Sequence, residues 1–305
     1  MSGTAIGAEQ QTYMAVPLSG LAGPAVVPFA LHLRTAATTY VLYRPADTMI
    51  DESQLGRLKA EGVLNLFIQD DDRDAYFHRV ESSLDTVLHD KSMPLDVRAS
   101  VLLGVSAVVV EDLLAAKPDQ KTVLRARRVM SATSSLILRD GQGFHAMRRM
   151  LQAGPGLTRH SLTVALLSMG LARVVIGADA ATVAMAGLAG LLHDVGRIGH
   201  EDLEHDPEHV TRGADYLRGL NLPAGVIEAA QCHHECFDGT GFPKGLRGNE
   251  IPELARIVGL VNLFDKVYND QVPRVGVFDA LRILAQAYRG SFDERMAQGL
   301  VKLFR

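Results

Sequence analysis

An apolar helix that ends in a histidine–aspartate pair decides how this chain folds: residues 180–199 read AATVAMAGLAGLLHDVGRIG. The apolar residues recur at helical spacing, and the run is shorter than the ~20 residues that a membrane span needs. Adjacent side chains on a helix diverge by roughly 100°. His193 and Asp194 can therefore contact two cations from one wall, with the carboxylate bridging them. The alternative is a helix end at which His193 only caps carbonyl groups.

The histidines of this chain are concentrated in one region, because eight of the eleven lie between residues 145 and 234. Histidine fills an apolar core poorly, since its ring nitrogens need partners when buried. His233 and His234 form a second pair before a glycine-rich loop; the alternative is a solvated surface pair. His160 and His209 each open a predicted helix and are ambiguous when taken alone. The remaining histidines of the cluster are interpreted as solvated or loop residues: His145, His200 and His205.

The whole segment 93–305 is predicted to be an all-helical domain, with the motifs concentrated in residues 153–305. Apolar residues at helical spacing predict its helices. These helices are Pro94–Ala116, Gln120–Leu138, Phe144–Gln152, Leu157–Ile176, Ala180–Leu192, His209–Leu217, Pro223–Cys232, Pro252–Tyr268, Val277–Tyr288 and Phe292–Phe304.

Residues 1–92 predict a small α/β domain, interpreted as a sensory or interaction module, and HDKSMP at 89–94 marks the boundary. Short apolar and aromatic runs broken by Gly or Pro predict its strands. These strands are Met14–Pro17, Phe29–Arg34, Tyr40–Tyr43 and Leu64–Ile68. A short helix is expected between Ser53, as its N-cap, and Gly62. The first dozen residues are expected to be loose, and the predicted fold class is mainly α.

Composition excludes several classes of function. The 31 Lys and Arg against 35 Asp and Glu give a net charge of −4, which argues against broad binding to DNA, RNA or an acidic membrane. Two cysteines cannot build a disulfide framework, and no secretory signal is visible, so a cytoplasmic protein is expected. Cys232 and Cys236 flank the histidine pair, and core packing is favoured over a zinc site. The basic run 125–129 is interpreted as a solvated helix face.

The order of these motifs resembles the HD-GYP family, a branch of the HD-domain metal-dependent phosphohydrolases. The motifs are His160, HD at 193–194, His209, HH at 233–234 and DGTGFP at 238–243. The similarity runs from about His160 to Phe304, and the preceding segment is similar to the small N-terminal domain of some members. The resemblance implies a bundle of helices and hydrolysis of cyclic di-GMP to linear pGpG or GMP. It also implies two divalent transition metals, iron or manganese.

The resemblance implies a role for each matching residue. The first metal would be held by His160, His193, Asp194 and Asn262, and the second by the bridging Asp194 with His209, His233 and His234. Asp194 and Arg197 would serve catalysis, with Arg197 contacting phosphate in place of the family's lysine. The loop residues Gly241, Phe242, Pro243 and Lys244 would contact the substrate.

Four positions depart from the family pattern. Asn262 stands where the family has an aspartate ligand, and Gly156 where some members have the glutamate for a third metal. Phe242 replaces the signature tyrosine, and Gln271 lies near the position of a phosphate-contacting arginine.

These departures leave two functions open: a cyclic di-GMP phosphodiesterase, or an impaired scaffold that binds metal or nucleotide and signals through protein contacts. Candidate partners are signalling proteins such as diguanylate cyclases, or a second copy of the chain through the helices of 94–152.

Overall fold

The chain divides into two compact units, Met1–Val101 and Leu102–Arg305. The structure is a computed structural model that describes residues 12–21, 25–36, 38–91, 93–151, 156–177, 179–200, 206–270 and 275–304. The predicted boundary at residues 92–93 lies just before the division and remains a prediction about where the chain can be cut. The first residues, expected to be loose, fall largely outside the described part.

The N-terminal unit is built on antiparallel strands. The strands are β1 (Tyr13–Pro17), β2 (Ala25–Val27), β3 (Leu31–Ala36), β4 (Thr39–Arg44), β5 (Thr48–Ile50) and β6 (Asn65–Gln69). Four of them form a sheet in the order β1-β6-β3-β4, and β2 pairs with β5 separately. The register pairs Val16 with Leu66 and Met14 with Ile68. Alternate residues of a strand point to one face, so Val16, Leu66 and Ile68 are all fully buried.

Two local predictions for this unit need correction. The N-cap of the first helix is Asp51, whose carboxylate accepts the Gln54 backbone N–H at 2.8 Å, and not Ser53. Ser53 instead donates to the Asp51 carboxylate. The strands β2 and β5 were not predicted, because three-residue strands are too short to show an alternating pattern. The four predicted strands all have counterparts in the sheet, shifted by one or two residues at their ends.

Thirteen α-helices lie within the described residues. They are α1 (Glu52–Ala60), α2 (Arg73–Ser82), α3 (Leu84–His89), α4 (Leu95–Ala115), α5 (Gln120–Arg139), α6 (Gly143–Met150), α7 (Leu157–Val175), α8 (Ala180–Leu192), α9 (His209–Arg218), α10 (Ala224–Cys232), α11 (Glu253–Asp270), α12 (Val277–Ala287) and α13 (Glu294–Lys302). The prediction of a mainly helical chain behind a small α/β domain is therefore confirmed.

The core of the C-terminal unit is organised around α8. This helix is apolar on all sides, which is typical of a central buried helix, and its residues Ala186–Leu192 are all buried. Helices α5, α7, α10 and α11 pack against it. Its last turn consequently places His193 in the interior rather than at the surface. None of the helices within the described residues is both long and apolar enough to cross a lipid bilayer.

Candidate metal centre

Helix ends bring the predicted histidines to one place. His160 lies in the first turn of α7, His193 directly follows α8, His209 is the first residue of α9, and His233 and His234 follow α10. All except His234 are buried, with exposed fractions of 9% or less. A helix end leaves some backbone groups without hydrogen-bond partners. A histidine at such a position can bond to a nearby backbone group with one ring nitrogen while the other ring nitrogen faces the interior.

Close contacts between backbones make this convergence possible. A Cβ on Gly196 would lie 2.0 Å from the carbonyl oxygen of His209, so only glycine lets the turn after Asp194 reach the start of α9. A Cβ on Gly190 would lie 2.8 Å from the carbonyl oxygen of Val164, so α7 and α8 approach closely at this point. Gly196 therefore serves the close packing of the turn after Asp194 against the start of α9.

Hydrogen bonds fix the orientation of four of the imidazoles. In each of them Nδ1 contacts an oxygen that can only accept, so Nδ1 carries the proton and Nε2 keeps its lone pair in the neutral ring. The pairs are His160 with Asp265 Oδ2 at 2.7 Å, His193 with Gly190 O at 2.8 Å, His233 with Ala230 O at 3.0 Å, and His209 with Asp206 O. His193 thus caps a carbonyl, as its alternative interpretation predicted, and still presents Nε2 to the interior.

The free nitrogens converge in two groups that share one carboxylate. His160 Nε2 lies 3.2 Å from His193 Nε2, and His209 Nε2 lies 3.4 Å from His233 Nε2. Asp194 Oδ2 faces the first group, 3.5 Å from His193 Nε2, while Oδ1 faces the second, 3.1 Å from His209 Nε2. The ligand atoms of Asp194, His209, His233 and His234 form one potential metal site, and those of His160, His193 and Asp194 another.

These distances suit cations. Two donor atoms held at ~2.1 Å from one metal ion lie about 3.0–3.4 Å apart, which is the separation of the facing nitrogens. Three buried atoms here have no hydrogen-bond partner in the described part of the chain, namely Asp194 Oδ1, His234 Nε2 and Asn262 Oδ1. Because buried polar atoms are almost always satisfied, their chemistry fits metal ligands. The cluster can hold two metal ions with Asp194 between them.

Burial and charge keep these groups in the protonation states that ligation requires. Burial lowers the pKa of His193 to about 3, against the neighbouring charge of Asp194. Burial also lowers the pKa of His233 and, most strongly, that of His234. Burial alone would raise the pKa of Asp194, but the surrounding imidazoles, His193 first, hold it well below its usual value. His193, His233 and His234 are therefore neutral imidazoles near pH 7, and Asp194 is an ionised carboxylate.

Asp265 is a functional residue that the sequence reasoning missed. Its carboxylate is 1% exposed, accepts from His160 Nδ1 and pairs with both terminal nitrogens of Arg159 at 2.8 and 3.0 Å. Burial would raise its pKa, but the hydrogen bonds from His160 and Arg159 lower it. A carboxylate behind a ligating histidine fixes the ring and its tautomer. A signal was present, since Asp265 follows Asn262 by almost one helical turn on α11.

Two predicted residues take positions beside this cluster. Arg197 Nε lies 3.0 Å from Asp194 Oδ2, so the guanidinium is anchored on the shared carboxylate. Asn262 is 2% exposed and lines a cavity with His233 and His234. Its assignment as a ligand of the first metal, opposite His160, remains a prediction.

The glycine-rich loop forms one wall of this cavity. Glu235 holds the loop in place, because its two carboxylate oxygens accept the backbone N–H groups of Lys244 and Leu246 at 2.7 and 3.0 Å. The ring of Phe242 stacks on His234, with centroids 4.8 Å apart and planes 16° apart. The cavity measures about 260 Å³. Its lining comprises His233, His234, Glu235, Cys236, Thr240, Gly241, Phe242, Gly259, Asn262, Leu263, Lys266, Tyr288, Ser291 and Phe292.

The other predicted residues divide into those near the cavity and those away from it. Gly241 and Phe242 line it, whereas Pro243 and Lys244 do not, and the Lys244 ammonium donates to Gln231 at 3.1 Å.

Both cysteines are free thiols, with Cys232 buried as expected for core packing. His200 is exposed, His145 is half-buried, and Gly156 precedes α7 without a side chain. His205 and Gln271 lie outside the described residues.

Comparison with known proteins identifies the family of the chain. The family model of the HD domain matches residues 109–296. A cyclic di-GMP phosphodiesterase of Pseudomonas aeruginosa is 31% identical over 193 residues, which are 58% of this chain and 46% of that protein. A cyclic di-GMP phosphodiesterase response regulator of Xanthomonas campestris is 26% identical over 201 residues, 60% of this chain and 53% of that protein. The chain thus spans about half the length of these relatives.

A solved structure extends the similarity to nearly the whole fold. An HDG“Y”P protein from Bdellovibrio bacteriovorus superimposes with a TM-score of 0.67 at 21% identity, over 96% of this chain and 99% of that one. At this identity the match shows the fold alone. Taken with the matched family model and the relatives, it confirms the resemblance to HD-GYP proteins that the motif order indicates.

Proposed function

Because the chain belongs to the HD domain family, we propose that it is a metal-dependent phosphodiesterase that hydrolyses cyclic di-GMP to linear pGpG or GMP. The proposed substrate class is taken from the two relatives named above, since both are cyclic di-GMP phosphodiesterases. Iron or manganese is the proposed metal because the resemblance to the HD-GYP family implies it; an imidazole-rich site with one bridging carboxylate suits iron, manganese and zinc alike.

One observation carries the proposal: a single buried carboxylate faces two groups of imidazole nitrogens, one with each oxygen. Asp194 Oδ2 faces His160 and His193, and Oδ1 faces His209 and His233. A packed core offers no reason to place four uncharged nitrogens in facing pairs at 3.2 and 3.4 Å. A pair of bound divalent ions supplies a water-derived nucleophile at neutral pH and stabilises charge on the phosphoryl oxygens.

The protein's own residues orient and bind the substrate. Arg197, held by Asp194, keeps a guanidinium at the edge of the metal cluster, where it can donate to a phosphate oxygen. The cavity beside His233 has aromatic walls from Phe242, Tyr288 and Phe292, on which a base can stack. The cavity is slightly smaller than the ~300–1,000 Å³ of typical ligand sites, so it would take one part of a dinucleotide.

A second candidate function, a scaffold that binds metal or nucleotide without turnover, is favoured by two substitutions. Asn262 offers a neutral amide where the family has a carboxylate, so the charge of two dications is less well compensated. Phe242 keeps the aromatic ring but lacks the hydroxyl, and a lost hydrogen bond to a charged group costs ~1.5–3 kcal/mol.

Metal analysis and turnover on the same preparation test the proposal. We expect about two iron or manganese ions per chain, with cleavage of cyclic di-GMP that a chelator abolishes. The variant His233→Ala should lose metal and activity, because it removes a predicted ligand. His200→Ala is the matched control, since His200 is an exposed histidine close in sequence to the site.

The outcomes separate the two functions. Protein that holds metal, binds cyclic di-GMP and releases no product supports the scaffold. Trace metal that added iron or manganese does not restore would contradict the phosphodiesterase, and the same result without binding of cyclic di-GMP would contradict both functions.

A further inference from the structure

The lining of the cavity beside His233 and His234 includes one cationic side chain that is not part of an ion pair among the described residues. Among its lining residues, Glu235 bears a negative charge, and both of its oxygens already accept backbone N–H groups of the loop. Lys266 is the one lysine or arginine in that lining. The described residues offer its ammonium no hydrogen bond or ion pair, so the charge faces the cavity without a partner there.

The position of Lys266 on α11 places it beside the metal cluster. It follows Asn262 by four residues, and side chains four apart lie on the same face of a helix. Asn262 and Lys266 both line the cavity, together with His234.

A cationic side chain that lines a cavity beside predicted metal ligands can bind an anionic group of a ligand there. The cavity has an aromatic surface, and it is also lined by His233 and His234, which belong to the second group of predicted ligands. We propose that Lys266 binds a phosphate oxygen of the cyclic dinucleotide and so fixes the substrate against the second group of ligands. The inference rests on the proposed function and adds to it a substrate-binding residue that the motifs do not contain.

The neutral residue at position 262 makes such a role for Lys266 possible. A carboxylate at 262 would lie one helical turn from the ammonium and would form an i,i+4 ion pair with it. The amide of Asn262 forms no such pair, so the ammonium stays available to an incoming phosphate. Compared with the family's aspartate, Asn262 therefore removes one negative charge from the proposed metal site. Lys266 places one positive charge in the lining of the cavity.

The test compares Lys266→Met and Lys266→Arg with the parent in the metal-loaded protein of residues 1–305. A hydrogen bond from a charged donor to phosphate predicts that Lys266→Met raises KM for cyclic di-GMP by about tenfold or more, with kcat changed less and metal content unchanged. Lys266→Arg keeps the charge and should recover most of the affinity. The control is Lys302→Met, which removes the same charge from an exposed position on α13.

Binding is measured in parallel with a non-hydrolysable phosphorothioate analogue of cyclic di-GMP at several salt concentrations. Lys266→Met should weaken binding and reduce its dependence on salt, because one cation–phosphate contact is lost. If the parent binds and cleaves cyclic di-GMP while Lys266→Met matches it in KM and in analogue affinity, the inference is overturned and the proposed function stands. If the metal-loaded parent neither binds nor cleaves the dinucleotide, both are overturned.

Discussion

At the scale of single residues, we expect the charge at position 262 to determine how firmly the proposed metals are held. Asn262 Oδ1 is buried without a hydrogen-bond partner in the described part of the chain, and one carboxylate serves both groups of ligands. Asn262→Asp adds a second anion of nearly the same shape, and we expect metal affinity to rise by about tenfold, which corresponds to ~1.4 kcal/mol. Competition with a chelator measures this change.

The matched control for this variant is Asn221→Asp, which adds the same charge at an exposed position. It should leave metal affinity unaltered. Equal affinities in the parent and in Asn262→Asp would show that residue 262 does not face the metals. Turnover is expected to change less than affinity, because a more anionic site weakens Lewis acidity and the hydroxyl missing at Phe242 is not restored.

Asp265 offers a second prediction at this scale, because it orients His160 without being a proposed ligand. Asp265→Asn allows the amide to donate toward Nδ1, which would favour the wrong tautomer of His160. Replacing such an outer partner typically lowers metal affinity by 10–100-fold, and we expect a loss in that range, measured on folded protein by chelator competition. Asp279→Asn, which alters an exposed carboxylate paired with Arg282, should have no effect. Retention of parental affinity in Asp265→Asn would contradict the orienting role.

At the scale of secondary-structure elements, close contacts between backbones position the ligands. Gly196→Ala would place a methyl group 2.0 Å from the His209 carbonyl oxygen, so α9 must move away from the turn that carries Asp194. Overpacking of this kind costs typically 1–3 kcal/mol, and the second group of ligands should lose its geometry. We expect lower stability in denaturant unfolding together with weaker binding of one metal.

The control for Gly196→Ala is Gly56→Ala in α1, where an added Cβ meets nothing within 4 Å. Alanine in place of an unhindered helical glycine should stabilise the helix by ~0.5–1 kcal/mol. If both substitutions stabilise the protein, the contact between Gly196 and His209 is not tight in solution.

The same elements show which features of the molecule the sequence could predict. The spacing of apolar residues predicted α8 as Ala180–Leu192, and the position of His193 and Asp194 at its end followed directly. The role of Asp265 could not be predicted from the sequence pattern, because its contact with His160 depends on α11 lying against the first turn of α7. Lys266 was missed for a related reason, since a lysine in a helix normally indicates a solvated face. The roles of Asp265 and Lys266 depend on distances between side chains of different elements, which the residue pattern within one element does not contain.

At the scale of the whole molecule, the buried imidazoles predict that the metal-free protein loses stability in mild acid. The pKa of His193 is lowered to about 3, whereas an unfolded chain protonates histidine near ~6.5. Between these values the unfolded state binds more protons, so stability falls as the pH falls. His193 alone predicts a loss of ~2 kcal/mol between pH 7 and pH 5, and His233, whose pKa is also lowered, adds to it.

Urea unfolding of chelator-treated protein at pH 7 and pH 5 measures this loss. His193→Gln, which cannot titrate, should show a smaller difference between the two pH values than the parent. A parent whose stability is the same at both values would contradict the burial of neutral imidazoles.

Because the chain divides into two compact units, we expect that the proposed metal site does not need the N-terminal unit. Every proposed ligand lies from His160 onward, and the HD domain match begins at residue 109. A cut before Pro94 keeps α4, which spans Leu95–Ala115, intact, whereas a cut at the division after Val101 would sever its first two turns. Helices depend on packing and on their full length for stability. A protein that begins at Pro94 should therefore fold and bind metal with parental stoichiometry, and one that begins at Leu102 should be less stable. Elemental analysis and thermal unfolding of both truncated proteins decide the question. A metal-free product from the Pro94 start, unrestored by added iron or manganese, would mean that the N-terminal unit is needed to build the site.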